Sequence, residues 1–221
     1  MLRRTILQGA GALALGLTLS LGANAAALGT DYVKLDQPLP GGEGKIVKIW
    51  SYDCPFCFKY DVGVDPKVMP EAEKATGLKF DMFHLETKGK FGRAASEFLA
   101  YCKLQDEKAG VNSVEDAKSL YKKAKDAWYQ AYHKKGERWA AGEAAFLKTA
   151  EDATGIAPSD FDAARKSEAV QKLADSWKPS YDVAKIQGVP AYVVNGKYLL
   201  MTKSIRSVKG MVDTLSELSK M

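Results

Sequence analysis

The chain has little of what small exported or metal-stapled folds are built from. It holds three cysteines and two histidines in 221 residues. That is too few for a disulfide framework, so apolar packing must hold the core together. It is also poor material for zinc, which wants four ligands, usually two cysteine pairs or a pair plus histidines. Beyond Cys54 and Cys57 the soft ligands are Cys102, His84 and His133, with no second paired spacing. Strong charge of one sign is missing too. The formal net charge is +5, and +3 once Arg3 and Arg4 are set aside. So mild an excess makes no case for a nucleic-acid partner. After Leu21 no long apolar run recurs, so the rest of the chain is expected to be soluble.

What is present begins with a leader. Met1-Leu2-Arg3-Arg4 is basic, Thr5 to about Leu21 is apolar and rich in glycine and alanine, and Ala23-Asn24-Ala25 is a small-x-small cleavage pattern. This reads as a signal peptide over 1–25, with cleavage after Ala25 or as late as Ala27. Arg3-Arg4-Thr5-Ile6-Leu7 also fits a twin-arginine signal. An ordinary Sec leader carrying two arginines is the simpler reading. Export places the mature chain of roughly 195 residues in an oxidising compartment, and that length suits one domain with an insertion.

The chemistry concentrates in Ser51-Tyr52-Asp53-Cys54-Pro55-Phe56-Cys57-Phe58, directly after the apolar run Ile46-Val47-Lys48-Ile49-Trp50. Two cysteines two residues apart at a strand-to-helix junction have the spacing of a redox-active disulfide. Cys54 would open the helix, and Cys57 would lie one turn further on the same face. Free N–H groups and the positive end of the helix dipole favour a thiolate on the outer sulfur. A lowered pKa makes it both nucleophile and leaving group. Pro55 suits the first helical turn, where its missing N–H breaks no bond. Half a zinc site and a purely structural disulfide are the competing readings. The first lacks ligands, and so short a loop constrains the unfolded chain little.

Along the mature chain, Tyr32-Val33-Lys34-Leu35 reads as a short edge strand and Lys45 to Tyr52 as the central one. A helix from Cys54 is interrupted near Gly63 and Pro66 and ends at Gly77. Lys79 to Leu85 alternates as a strand. From about Gly89 to Asp175 apolar residues recur at helical spacing, which predicts a block of three or four helices. Asn112-Ser113 and Pro158-Ser159-Asp160 read as helix starts. Phe98, Tyr101, Trp128, Tyr132, Trp139 and Phe146 read as packing aromatics. Ala191 to Leu200 is a hairpin around Asn195-Gly196, a type I′ turn sequence. Ser204 is expected to open a last helix with Val208, Met211, Val212, Leu215 and Leu218 inward. The order predicts an α/β sheet with a helical domain inserted in its middle.

Trp50-Ser51-x-x-Cys54-Pro55-x-Cys57, with Gly188-Val189-Pro190-Ala191 and Val194-Asn195-Gly196-Lys197-Tyr198, resembles a DsbA-type thiol:disulfide oxidoreductase across essentially the whole mature chain. The Cys-Pro-Phe-Cys form most resembles a paralogous branch with a narrower client range. The resemblance implies a thioredoxin fold with an inserted all-helical domain: first part 28–88, insertion 89–175, second part 176–221. It implies Cys54 and Cys57 as the catalytic pair, supported by Pro55, Phe56, Lys48, Val189 and Pro190, with a cis peptide before Pro190. Val189 would offer its backbone to an extended client. It further implies a periplasmic monomer without cofactor, metal or nucleic acid. That monomer would donate its disulfide to exported proteins with free cysteines and be reoxidised by a quinone-linked membrane oxidase of the DsbB or DsbI type.

Two positions depart from that family. Phe56 stands where a histidine is usual, so one source of thiolate stabilisation is gone. Lys48 stands where a glutamate is common, and that glutamate's lysine partner falls at about Met82. A buried cation near Cys54 would favour the thiolate, whereas a lysine that snorkels to water would not. Asp53 would oppose the cation, weakly if exposed. Cys102 reads as a buried inert thiol, His84 as structural and His133 as part of a solvated face. Lys88, Lys90 and Arg93 with Lys197, Lys203 and Arg206 read either as a basic rim or as ordinary solvated charge. Two other functions compete. An exported isomerase or reductase usually carries a separate dimerisation domain, for which no room precedes the first strand. A non-enzymatic holdase would use only the Val189-Pro190 groove.

Overall fold

The computed structural model describes residues 25–221. The leader expected over 1–25 lies outside the described residues but for its last. A five-stranded sheet, ordered β1-β5-β4-β2-β3, organises the fold. Its strands are β1 (Tyr32–Lys34), β2 (Lys45–Trp50), β3 (Lys79–His84), β4 (Ala191–Val194) and β5 (Tyr198–Leu200). β2 runs parallel to β3 and antiparallel to β4. Ile46 to Trp50 are buried throughout, which explains why β2 reads as a continuous run rather than an alternation. β1 lies at the edge, as its length predicts. Asn195 and Gly196 both have positive φ (51° and 67°), and Lys197 N–H donates to Val194 C=O at 2.9 Å, closing the expected hairpin.

Two helices carry the chain from β2 to β3. α1 (Pro55–Gly63) and α2 (Asp65–Thr76) are separated at Val64, and Gly77 ends α2 with φ 72°. The inserted block is α3 (Gly92–Lys108), α4 (Leu120–Tyr129) with a π-helical turn over Gln130–Lys134, α5 (Glu143–Thr154), α6 (Pro158–Arg165) and α7 (Glu168–Ser176). It has five helices rather than three or four. Gly155, at φ 76°, ends α5, and Ser167 caps α7, cutting the helical stretch into shorter pieces than periodicity reveals. α8 (Ser180–Gln187) leads back to the sheet, and α9 (Val208–Leu218) packs on α2.

Two expected helix starts move. Asn112-Ser113 opens no helix. α4 begins after Ser119, whose hydroxyl accepts from Lys122 N–H at 3.1 Å. Buried Asp106 fixes that start by accepting from Ser119 Oγ (2.7 Å), Leu120 N (2.7 Å) and Tyr121 N (3.1 Å). Ser204 closes a 3₁₀ turn instead of opening α9. Ser207 caps that helix, accepting from Gly210 N–H at 3.0 Å. Met211, Val212, Leu215 and Leu218 then face inward as expected, while Val208 is half-buried.

Aromatic residues join the insertion to the sheet. Trp50 Nε1 donates to Tyr121 Oη at 2.8 Å, and that hydroxyl donates to Met82 C=O at 3.1 Å. Tyr52 Oη accepts from Phe91 N–H at 2.9 Å. Trp128 stacks on Phe146 at 4.5 Å. No helix among the described residues is long and apolar enough to cross a membrane.

Candidate active site

The site is made where β2 ends. Trp50 is its last residue, Ser51 to Asp53 turn the chain, and Cys54 caps α1 with its N–H bonded to Ser51 C=O at 3.1 Å. Pro55 takes the first helical position. Cys54 Sγ then stands where helical N–H groups are free, and it accepts from Cys57 N–H at 3.2 Å. Cys57 is buried one turn inside. Both thiols are free in this structure. On the facing loop the Val189–Pro190 peptide is cis, and the Cys54 thiol donates to Val189 C=O at 3.3 Å.

The two sulfurs differ sharply. A hydrogen bond from the Cys57 thiol brings the Cys54 pKa down to about 7 against the effect of burial, helped by the Cys57 and Phe56 amides and the Lys88 charge. Burial first, and then service as Cys54's donor, hold the Cys57 thiol well above its ordinary value. Cys54, itself buried, lines a groove of 570 Å³ whose walls include Pro55, Phe56, Lys88, Tyr181 and Val189. Phe56 is 62% exposed beside it, an apolar surface rather than a charge donor.

Lys48 does not snorkel. It is completely buried, and its Nζ lies 2.5 Å from Asp65 Oδ2, 3.5 Å from Asp61 Oδ1 and 3.4 Å from Cys57 C=O. Burial works to lower its pKa, and Asp65 and Asp61 overcome that and raise it. Asp65 also accepts from Tyr192 Oη, and Asp61 from Lys125 Nζ, each at 2.5 Å. The cation thus sits under Cys57, partnered by two carboxylates, and Met82 is its neighbour across the parallel ladder. Sequence reasoning singled out Lys48 but missed Asp61, Asp65, Lys125 and Tyr192. The available signal was two aspartates, four and eight residues after the second cysteine.

Other expectations change. His133 is not on a solvated face: its Nε2–H donates to Tyr52 C=O at 2.9 Å, and its ring stacks on Phe58 at 4.9 Å. His84 is buried with Nδ1 2.9 Å from Ser96 Oγ, and burial pushes its pKa down to about 3. Cys102 is buried, which pushes its thiol up. These three residues do not gather into a metal site, and none is found among the described residues. The basic residues form no single rim. Arg93 is engaged with Glu86 (3.0 Å), Glu97 (2.8 Å) and Asp175 (2.6 Å). Lys197 lies in the hairpin turn beyond Val194, at the end of the sheet away from Cys54. Lys88 alone of the six lines the groove.

A cysteine pair at the start of the first helix after an inner strand of a thioredoxin sheet, with a helical insertion between the sheet's halves, defines the class of DsbA-like thiol:disulfide oxidoreductases. No family model matches the chain. It is 52% identical to the thiol:disulfide interchange protein DsbL of Escherichia coli O6:H1 over 206 residues, 92% of this chain and 91% of that protein. The crystal structure of DsbL from Salmonella enterica serovar Typhimurium superposes with a TM-score of 0.82 at 49% identity, covering 90% of this chain and 100% of that one. That of Pseudomonas aeruginosa DsbA, at 23% identity, shares the fold with a TM-score of 0.61 over 87% of this chain and 92% of its own. The chain belongs to the DsbL thiol:disulfide interchange proteins, within the DsbA family.

Proposed function

We propose that this oxidoreductase is a periplasmic dithiol oxidase that donates the Cys54–Cys57 disulfide to exported proteins with free cysteines. The observation that carries the reading is the asymmetry of the pair. Cys54 has its pKa near 7 and lines a groove, while Cys57, one turn deeper and absent from that lining, holds its proton. A thiolate that the fold stabilises exists only in the reduced state, so the fold pulls the pair toward reduction and makes its disulfide oxidising. A client thiolate attacks Cys54 Sγ, the Cys54–Cys57 bond breaks, and its electron pair stays on Cys57. A second client thiolate then attacks the client sulfur, Cys54 leaves as the thiolate, and the client departs with a new disulfide. Two electrons and two protons have passed from client to enzyme and solvent. In this reading Pro55 and Phe56 shape the exposed rim, and Val189 and Pro190 present the backbone that aligns an extended client. Lys48 serves Cys57 from below. The reduced pair is returned by a quinone-linked membrane oxidase of the DsbB or DsbI type.

The test is the redox equilibrium of the pair in a graded series of reduced and oxidised glutathione, read by acid-quenched thiol trapping. The reading expects a pair that stays reduced until the buffer is strongly oxidising. A pair already oxidised in reducing buffer would identify a reductase or a structural disulfide instead.

A further inference from the structure

The chain enters the active-site helix through a β-turn. Ser51 C=O accepts from Cys54 N–H at 3.1 Å, with Tyr52 and Asp53 at the centre. The two common kinds of such turn differ by a flip of the central peptide, here Tyr52–Asp53, and the flipped kind needs a positive φ at its third residue. Asp53 is not among the residues with positive φ, so the peptide stands in the unflipped sense. Sequence does little to keep it there, because aspartate visits positive φ more readily than most residues. The side chains of the turn are tied elsewhere. Asp53 Oδ1 accepts from Ser51 Oγ at 2.9 Å, and Tyr52 Oη accepts from Phe91 N–H at 2.9 Å. Neither bond holds the Tyr52 carbonyl.

That carbonyl goes to His133. The ring's Nε2–H donates to it at 2.9 Å, and no other donor reaches the oxygen among the described residues. The same imidazole lies flat on Phe58, with centroids 4.9 Å apart and planes 3° apart. Phe58 N–H in turn donates to Cys54 C=O at 3.1 Å. One ring from the insertion thus grips the chain two residues before Cys54 and one residue after Cys57. His133 stands in the π-helical turn Gln130–Lys134, which Lys135 N–H closes on Gln130 C=O at 3.1 Å. Such turns are rare inside helices and occur often at functional sites.

We infer that His133 is a positioning residue for the thiol:disulfide reaction, locking through Tyr52 C=O the turn that delivers Cys54 to α1. Held on His133, the carbonyl oxygen points at the insertion, whereas Cys54 Sγ lies against the Val189 loop. A flip would free that oxygen, the negative end of a peptide dipole, within two residues of the sulfur that must carry charge. Negative potential there disfavours the thiolate, and the disulfide has no such charge to lose, so release of the turn weakens the oxidant. A protonated imidazole donates from both nitrogens, so the bond survives protonation of His133.

The experiment titrates the thiolate absorbance of the reduced protein and measures its glutathione equilibrium, for wild type, His133→Phe, His133→Gln and Ser207→Ala. Phenylalanine keeps the stack on Phe58 and loses the donor. Glutamine keeps a donor and loses the stack. Ser207→Ala removes the α9 cap and controls for lost stability alone. His133→Phe is expected to raise the Cys54 pKa by about half a unit and to shift the glutathione equilibrium about threefold toward the disulfide. His133→Gln should lie nearer to wild type, and Ser207→Ala should match wild type in both readings. An unmoved His133→Phe overturns the inference. So do equal shifts in His133→Phe and His133→Gln, or an equal shift in Ser207→Ala. Like the proposed function, the role of His133 rests on Cys54 working as a thiolate. A wild type that titrates like an ordinary thiol would overturn both, whereas a wild type near 7 with an unmoved His133→Phe overturns only the role of His133.

Discussion

Lys48 is a charge that the fold has enclosed and then answered. Its ammonium and the Asp61 and Asp65 carboxylates are all buried or nearly so. Removing one member of such a set leaves the others uncompensated, which costs about 3–5 kcal/mol. Lys48→Met should therefore lower the denaturant midpoint markedly. It should also raise the Cys57 pKa further, because the Lys48 charge now works to lower it. A variant with unchanged midpoint and unchanged glutathione equilibrium would deny Lys48 both roles. Burial raises the Asp61 pKa, but Lys48 and Lys125 more than reverse that and hold it below 3.8. Stability from Asp61 is thus complete above about pH 4 and is lost as pH falls through its lower folded value. The Cys54–Cys57 pair was legible in local spacing, whereas the cis peptide before Pro190 was expected from the family resemblance alone. The Lys48 cluster was not legible, because β2, α1, α2, α4 and β4 each supply one member.

Helices were legible where a stripe is long and lost where a cap decides. α9 shows its inward residues in sequence, yet two serines compete for its start. Ser207 caps Gly210 N–H, whereas Ser204 bonds back to Met201 C=O within the 3₁₀ turn. Ser207→Ala is expected to cost about 1 kcal/mol of stability, the usual worth of an N-cap. Ser204→Ala should cost less than half of that, and urea unfolding of the two variants compares them directly. The reverse order would return the helix start to Ser204. At α4 the sequence pointed to Asn112-Ser113, since the true start depends on Asp106, thirteen residues before Ser119 and buried under it. At α3 the decisive residue is Gly92. A Cβ there would lie 1.9 Å from Glu86 C=O, a close approach that no periodicity reports.

The sheet and the helical insertion share one core, in which Trp50, Tyr52, Phe58, Trp128 and Phe146 belong to the same buried cluster. The redox state of two sulfurs is therefore linked to the stability of the whole molecule. In the reduced chain Cys54 titrates at about 7 when folded, against 9.0 for an ordinary thiol. Between those values the unfolded chain binds more protons than the folded one, so stability rises with pH. This contribution is complete above about pH 9 and disappears as pH falls through about 7. The oxidised chain keeps only the Cys102 thiol, which both forms share, and so lacks the effect. Cys57 works in the opposite direction only above about pH 9, where an unfolded thiol ionises and the buried one does not. Urea unfolding of both forms at about pH 6, 7.5 and 9 should show the reduced form gaining on the oxidised one at each step. The gain belongs to the reduced state alone, so it also strengthens the oxidising tendency of the disulfide as pH rises. A difference that stays flat across this range would mean that the fold does not hold Cys54 as a thiolate, and the case for a disulfide donor would lose its physical basis.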